Sequence, residues 1–386
     1  MRNMNELRDS RNRNVREWMR SQSLDALVLS SSDNIRYAVD YRSVIISEAW
    51  DWSIAIVNPD GQATIIVPQT NEVVREPVPG NSYVTELYPG CGWGPMWTNT
   101  RTVSRAIATQ LRGLHASRVG HDALHPELLR SVRETIQAEY LWIGVDLLQL
   151  RSIKLEPEMA AIRASYELNA AALRAALRSA EVGVTDRELL TRALQWQYRN
   201  GADIATHSTC VVHPPPGDWF PGDRAVSKGE SVWMDLVCYG REGYASDLTR
   251  TVFIGEPPQE ALNAYRVLID AQLAGLSQVK AGRNVTAIQD SVQAYLKAHD
   301  LAPTPYSLGH GVGLRVCEWP TINSSERLDD PAILEAGQVI AIEPETTVVV
   351  RDRGFPLKVE DNVLVTEHGF ERLSAEWKLS DIVLQA

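Results

Sequence analysis

The chain has 386 residues, of which 44% are hydrophobic and 23% are charged, and this composition excludes a disordered or fibrous protein. Single hydrophobic cores stop growing at about 250 residues, so the length predicts two domains. The formal net charge is −11, whereas a protein that binds nucleic acid needs a basic surface, so we expect no nucleic-acid partner.

The sequence predicts neither a secretory signal nor a membrane span. The first residues, MRNMNELRDSRNRN, lack the apolar core of a secretory signal, and no window approaches the roughly 18 uninterrupted apolar residues of a membrane span. The four cysteines lie far apart and form no CxxC pair, which is typical of a reducing compartment. We therefore expect a cytoplasmic protein with no membrane partner.

The first part of the sequence alternates between helix and strand patterns. The stretch from Arg8 to Arg20 carries apolar residues at helical spacing, and LDALVLS is a short apolar run typical of a buried strand. SIAIVNPDGQATIIV predicts two strands joined by a PDG turn, and SRAIATQLRGL continues the alternation. These patterns predict an α/β domain over residues 1–152.

A different pattern begins at RSIKLEPEM. Glu156 and Pro157 favour the start of a long helix that ends at Gly183, and two further helices are predicted downstream. Val-rich segments predict mainly antiparallel strands, and these segments are SVWMDLVCYG, GYASDLTRTVFIG, QVIAIEPETTVVV and LKVEDNVLVTEHG. Helices grouped around such strands predict an α+β domain over residues 153–386.

Acidic residues interrupt these strands where apolar residues are expected. Asp235, Glu343 and Glu360 each follow an apolar run, Asp247 lies on a neighbouring strand, and glycines flank His310. A carboxylate buried alone is strongly disfavoured, so these positions call for a cation. Such an oxygen-rich set suits Mn²⁺, Fe²⁺, Co²⁺ or Zn²⁺, and bridging carboxylates would hold two ions.

Four segments resemble successive motifs of the pita-bread metallopeptidase family, which includes methionine aminopeptidase, aminopeptidase P, prolidase and creatinase. They are MDLVCYGREGYASDLTRTVFIG, GHGVGLRVCEWP, IEPET and KVEDNVLVTEHG. LDALVLSSSDNIRYAVDYRS is similar to the opening of a creatinase-type domain. The resemblance implies a creatinase-type α/β domain followed by a pita-bread catalytic domain, and a homodimer.

The resemblance also implies roles for individual residues. It implies two divalent metal ions, with manganese as the first expected metal. Their five ligands would be Asp235, Asp247, His310, Glu343 and Glu360. Glu343 also matches the family's proton-shuttling glutamate, and Thr249 and Arg250 would orient the carboxylates.

Two departures from the peptidase pattern put peptide cleavage in doubt. Prolidase and aminopeptidase P resemble each other in two substrate-contacting histidines, but the first position falls near Asp218 here and the second is taken by Cys317. The spacing from Asp235 to Asp247 is one residue longer than in the common peptidases, which predicts a β-bulge at the site. These differences favour the branch of the family that acts on small non-peptide substrates.

Further residues are candidates for the substrate pocket. We expect Asp218 and Cys317 to take part in catalysis beside Glu343, although a turn-forming aspartate and a small packing cysteine are the alternatives. Six residues are predicted to contact substrate, with loop or core packing as the alternative for each, and they are His207, His213, Glu318, Trp319, Trp219 and Tyr41.

The sequence therefore predicts a dinuclear metal-dependent hydrolase that cleaves a C–N bond in a small amino-acid-derived substrate. Three alternatives stay open at this point. The chain could be a Xaa-Pro dipeptidase or aminopeptidase that takes a dipeptide, a metal-dependent lyase similar to dimethylsulfoniopropionate lyase, or a metal-free binding module on the same fold.

Overall fold

The computed structural model describes residues 4–42, 52–68, 80–89, 99–212, 220–304, 306–373 and 382–384. The chain divides into two compact units, Met1–Leu150 and Arg151–Ala386. Among the described residues, no helix combines the length and the apolar character needed to cross a bilayer.

The first unit is a mixed sheet covered by helices. Its strands are β1 (Ala26–Leu29), β2 (Ile54–Val57), β3 (Ala63–Val67), β4 (Val84–Pro89), β5 (Arg118–His121) and β6 (Glu139–Trp142), in the spatial order β4-β3-β2-β1-β5-β6. Its helices are α1 (Met4–Ser21), α2 (Ser32–Val39), α3 (Thr100–Gly113), α4 (Pro126–Thr135) and α5 (Gly144–Ser152), which ends just past the division between the units.

The predicted turn between two strands of this unit is present. Strands β2 and β3 pair in antiparallel fashion, and the Asn58 side chain accepts hydrogen bonds from the backbone N–H groups of Asp60 and Gln62. Gly61 adopts a positive φ of 78°, a conformation that glycine tolerates without steric cost. The PDG motif therefore predicted this hairpin correctly.

The helices of the second unit, within its described residues, are α6 (Glu156–Arg178), α7 (Asp186–Arg199), α8 (Gln259–Leu276) and α9 (Thr286–Ala298). Its strands are β7 (Ile204–Ala205), β8 (Thr209–Val211), β9 (Glu230–Tyr239), β10 (Ala245–Ile254), β11 (Gly309–Gly311), β12 (Glu318–Ile322), β13 (Val339–Ile342), β14 (Glu345–Val350), β15 (Arg353–Lys358), β16 (Asp361–Val365), β17 (Phe370–Arg372) and β18 (Val383–Leu384).

These strands form two five-stranded sheets and one hairpin within the described residues. The first sheet runs β18-β10-β9-β7, with β8 also paired to β9, and helices α6 and α7 pack on it. The second runs β12-β11-β13-β16-β17, and α8 and α9 share a core with it and with the β14–β15 hairpin. Among the described strands of this unit, all pairings except β10 with β18 are antiparallel, which confirms the predicted α+β class.

The predicted β-bulge between Asp235 and Asp247 was wrong. Strands β9 and β10 pair in unbroken antiparallel register from Ala245 opposite Tyr239 to Ile254 opposite Glu230. The added length is taken up in the connection over residues 240–244, where Gly243 has a φ of 68°. A turn at the strand end absorbs an extra residue without disturbing the ladder, so the spacing carried no information about the site.

Glycines let the short strand β11 lie against its neighbours. A Cβ atom on Gly309 would lie 1.9 Å from the carbonyl oxygen of Ala341, and one on Gly311 would lie 2.0 Å from that of Trp319. These contacts are with backbone atoms, which cannot rotate away as a flexible side chain can. Only glycine therefore permits this close packing on both sides of His310.

Substitution of Gly309 by alanine tests this packing. We expect Gly309→Ala to lower the free energy of unfolding of the second unit by about 1–3 kcal/mol or more, because the β11 backbone must move away from β13. Urea unfolding followed by tryptophan fluorescence measures the change. Gly369→Ala is the matched control, since a Cβ there meets nothing within 4 Å. Equal midpoints for the two variants would refute the steric argument.

Candidate metal centre

The acidic residues singled out in the sequence come together where the two sheets of the second unit meet. Asp235 lies on β9 and Asp247 on the neighbouring β10, whereas His310 lies on β11 and Glu343 directly follows β13. Glu360 immediately precedes β16, and its backbone N–H donates to the carbonyl of Thr249 on β10, a bond of 3.0 Å. This bond joins the two sheets at the site.

The side chains form two overlapping groups of possible ligands. Asp247, His310 and Glu360 offer one set of atoms within 4.8 Å of one another, and Asp235, Glu343 and Glu360 offer another. His310 Nε2 is 3.6 Å from Asp247 Oδ2 and 3.4 Å from Glu343 Oε1. Glu360 belongs to both groups.

Three carboxylate oxygens at this centre are buried and have no hydrogen-bond donor among the residues that the structure describes. They are Asp235 Oδ1, Asp247 Oδ1 and Glu360 Oε1, and their residues are 5%, 6% and 0% exposed. A buried carboxylate oxygen without a partner is costly, and hard divalent cations prefer such oxygens. The donor set therefore fits metal ions.

Neighbouring polar groups fix the orientation of these ligands. The Thr249 hydroxyl donates to Glu360 Oε2 at 2.7 Å, and the backbone N–H of Asp247 donates to Asn362 Oδ1 at 2.9 Å. The Arg250 guanidinium donates to the Glu360 carbonyl and, at 2.5 Å, to Asp361 Oδ1. Such outer contacts hold ligating carboxylates in place before a cation arrives.

Lys358 is the functional residue that the sequence reasoning missed. Its ammonium nitrogen lies 2.6 Å from Asp235 Oδ2, 2.8 Å from Glu343 Oε2 and 3.9 Å from Glu360 Oε2, and the residue is 1% exposed. The sequence does contain a signal for Lys358, because this lysine stands between Leu357 and Val359 and interrupts an apolar strand as the acidic residues do. Lys358 is an internal cation that partly neutralises the acidic cluster.

The crowding of charges shifts the pKa values of the cluster in opposite directions. Burial, followed by repulsion from Glu343 and Asp235, raises the pKa of Glu360 to about 8, and burial together with Glu360 raises that of Asp247. Burial acts against ionisation of Glu343 as well, but the Lys358 ammonium and His310 outweigh it and lower the pKa of Glu343 to about 2. Glu343 is thus ionised near neutral pH.

Cys317 and Glu318 lie beside each other in sequence but in different surroundings. Cys317 is exposed, and a hydrogen bond with Cys317 is among the contacts that raise the pKa of His310 against the effect of burial. Glu318 is buried, and its two oxygens pair with Arg151 Nη2 at 3.0 Å and Lys154 Nζ at 2.8 Å. These ion pairs favour a packing role for Glu318 over contact with substrate.

The positions of the remaining substrate candidates do not indicate a role. Trp319 is half-buried on β12, and His207 is exposed just before β8, where Thr209 pairs opposite Asp235. Tyr41 is half-buried in the first unit. Three candidates lie outside the described residues, and they are His213, Asp218 and Trp219.

Residues 160–367 match the description "Metallopeptidase family M24", a span that covers more than half of the chain. The chain belongs to this family. Residues 11–153 match the "Creatinase/Prolidase N-terminal domain", which confirms the predicted class of the first domain. Both matches agree with the resemblance inferred from the motifs.

Curated relatives of this M24 member carry the name of peptidase. An uncharacterized peptidase of Staphylococcus aureus strain MW2 is 32% identical over 237 residues, which is 60% of this chain and 65% of the relative. A second uncharacterized peptidase, from strain MSSA476 of the same species, shows the same identity and coverage. The match thus spans 65% of the length of these relatives.

Solved structures show the same fold. The prolidase from Pyrococcus furiosus has a TM-score of 0.75 at 22% identity, with 94% of this chain and 100% of that chain covered. The X-Pro aminopeptidase from Thermotoga maritima has a TM-score of 0.78 at 18% identity, with coverages of 97% and 99%. Identities this low carry the fold and not the substrate.

Loss of the internal cation should destabilise the metal-free protein. We expect Lys358→Met to lower the free energy of unfolding by about 3–5 kcal/mol, because Asp235 and Glu343 lose their buried partner. Thermal unfolding of protein treated with a chelator measures the effect, and added Mn²⁺ should restore part of the loss. Lys280→Met, at an exposed lysine, is the control. A metal-free Lys358→Met protein as stable as this control would contradict the assigned role.

The shifted pKa values also predict how stability depends on pH without metal. A carboxyl group whose pKa is higher in the folded state binds its proton more tightly there, so stability falls as pH rises between the unfolded and folded values. For Glu360 this window runs from 4.5 to about 8. Glu343 acts oppositely, and the stability that it contributes is lost as pH falls from 4.5 towards about 2.

Urea midpoints of the chelator-treated protein at pH values between 4.5 and 8 measure this dependence. We expect the midpoint to fall as pH rises, and Glu360→Gln to flatten the slope because its amide does not titrate. A slope that is identical in the two proteins would show that Glu360 does not cause it.

Proposed function

We propose that this member of the M24 family is a metal-dependent hydrolase that holds two divalent cations between Asp235, Asp247, His310, Glu343 and Glu360 and cleaves a C–N bond in a small amino-acid-derived substrate. The observation that carries this proposal is the set of three buried carboxylate oxygens without donors, which belong to two ligand groups that share Glu360. Manganese is the first candidate because the donors are hard oxygens and one imidazole.

Divalent cations bound there would polarise the scissile group and lower the pKa of an attacking water. Glu343 would serve as the base, because its side chain is 13% exposed, more than that of Asp235 or Glu360, and so is the more open to an incoming water. Glu343 accepts the proton of the water and returns it to the leaving nitrogen. Lys358 Nζ lies 2.8 Å from Glu343 Oε2, and this ion pair keeps the Glu343 carboxylate oriented.

A Xaa-Pro dipeptidase is the second candidate function. It is favoured by the solved structures of similar fold, which include the prolidase from Pyrococcus furiosus and the Xaa-Pro dipeptidase from Bacillus anthracis. The replacement of a histidine by Cys317 in the motif GHGVGLRVCEWP stands against it. Release of proline from Ala-Pro with added Mn²⁺ would select this function over a non-peptide substrate.

Metal content tests the proposed centre directly. We expect close to two Mn²⁺ ions per chain in the loaded wild-type protein, and about one or fewer in Asp247→Asn, because this change removes a charged ligand atom from the group that contains His310. Elemental analysis after removal of free metal measures the content. Asp290→Asn, at an exposed position on α9, is the control. Wild-type protein that retains less than about 0.1 ion per chain would overturn the proposal.

The mass of the product separates hydrolysis from elimination, because hydrolysis adds one water to the substrate and elimination adds none. An unchanged total mass would replace the hydrolase by a lyase on the same metal centre. The homodimer stays a prediction, and light scattering at micromolar concentration tests it.

A further inference from the structure

The ring of His310 is oriented by a hydrogen bond to the backbone beside it. Its Nδ1 lies 3.1 Å from the carbonyl oxygen of Gly311, and because a carbonyl oxygen only accepts, Nδ1 carries the proton of this bond. The other ring nitrogen, Nε2, faces Asp247 and Glu343. Histidines that bind metals are ordinarily fixed in this way, by the nitrogen that does not face the ion. The position of the Gly311 carbonyl therefore determines where Nε2 points.

The strand that pairs with Gly311 is irregular at this point. In the antiparallel pair of β11 and β12, His310 lies opposite Thr321 but Gly311 lies opposite Glu318, so residues 319–320 form a bulge between the two pairs. On its other edge, Gly311 pairs with β13. A bulge interrupts the regular ladder that otherwise holds a strand in register. Glu318 is therefore the residue that fixes the end of β12 beside Gly311.

The Glu318 side chain is held by two buried cations. Its Oε2 lies 3.0 Å from Arg151 Nη2 and its Oε1 lies 2.8 Å from Lys154 Nζ, and the three side chains are each 2% exposed or less. Lys154 also donates to the carbonyls of Arg151 and Ser152, so each of its three N–H groups has an acceptor. Burial opposes ionisation of Glu318, but the two cations hold the pKa of this carboxyl below its ordinary value. The carboxylate is thus fixed at both oxygens.

The loop that follows β11 is built around this carboxylate. A Cβ atom on Gly313 would lie 2.1 Å from Glu318 Oε1, and this oxygen cannot move aside because Lys154 holds it. A backbone hydrogen bond from Arg315 is also among the contacts that lower the pKa of Glu318. Glu318 therefore fixes the chain after His310 twice, once through its strand pairing and once through its carboxylate.

We propose that Glu318 is a positioning residue for His310. Arg151 and Lys154 hold its carboxylate, and Glu318 in turn sets the Gly311 carbonyl that orients the imidazole. This inference rests on the proposed function, since it assigns His310 to one of the two cation sites. Glu318 acts through the backbone and binds neither cation itself. A change at Glu318 therefore weakens the cation site that contains His310 and spares the site without it.

A shorter side chain at position 318 tests this role. Glu318→Asp keeps the negative charge, but its carboxylate cannot reach both Arg151 and Lys154 at the observed distances. We expect it to weaken one of the two Mn²⁺ ions about tenfold and to leave the other unchanged, because only one ligand group contains His310. Calorimetric titration of the metal-free protein with Mn²⁺ measures both affinities. Wild-type affinities at both sites, or an equal loss at both, overturn the inference.

Two further variants show whether the buried ion pairs cause the effect. Glu371→Asp is the matched control, because Glu371 pairs with Arg163 at 2.8 Å but its side chain is 51% exposed. It should bind both Mn²⁺ ions as the wild type does, and a tenfold loss there would overturn the inference. Lys154→Met removes one cation and leaves Arg151, so we expect a smaller loss of about threefold at the same site. Unchanged binding in Lys154→Met refutes the role of Lys154.

The ring signals of His310 report its position without any metal. The protein has eight histidines, and the magnetic resonance spectrum of His310→Gln identifies the signals of this one. In metal-free Glu318→Asp protein we expect the His310 signals to shift or broaden, while those of the exposed His299 stay in place. A loss of stability alone would change the histidine signals together and would contradict a positioning role. Unchanged His310 signals overturn the inference as well.

A failure of this inference is distinguishable from a failure of the proposed function. If the wild-type protein takes up two Mn²⁺ ions and Glu318→Asp binds both as tightly, only the positioning role fails. If the wild-type protein takes up no manganese, the proposed function fails. The His310 signals of the metal-free protein then still decide whether Glu318 positions the imidazole.

Discussion

Repulsion among buried acidic side chains is the constraint on which this centre depends. Asp235, Asp247, Glu343 and Glu360 come from separate strands and strand ends, yet their oxygens lie close enough for two groups of ligand atoms to fit within 4.8 Å. Water cannot screen them at such burial, so the fold must supply positive charge from within. Lys358 supplies part of it, and the remaining unpaired oxygens account for the affinity for cations that we propose.

The antiparallel sheets determine which of these residues meet. Asp235 and Asp247 lie on neighbouring strands because β9 and β10 pair in regular antiparallel register. The hydrogen bond from the Glu360 backbone N–H to the Thr249 carbonyl joins the second sheet to the first. Helices α6 to α9 cover the sheets with apolar cores, so the ligands lie on a rigid frame. Rigid ligands at fixed spacing favour cations of a defined size and number.

Much of this arrangement could be predicted from the sequence because charged residues inside apolar strands are conspicuous. Asp235, Glu343 and Glu360 were found in this way, and the glycines about His310 indicated close packing that the structure has. Lys358 was overlooked because a single lysine usually extends to solvent along its apolar stem. The bulge was a wrong inference, because spacing between two residues on paired strands does not reveal whether the extra residue lies in the ladder or in the turn.

The ion pairs of Glu318 could not be predicted from the sequence, because their partners lie more than 160 residues away along the chain. They also have a consequence for how the second unit can be divided. The family match begins at residue 160, but Arg151 and Lys154 precede it and neutralise Glu318 on β12, a neighbour of the strand that carries His310. A fragment trimmed to the matched span would bury an uncompensated anion next to His310, which we propose as a metal ligand. The segment that joins the two units is therefore an integral part of the catalytic half.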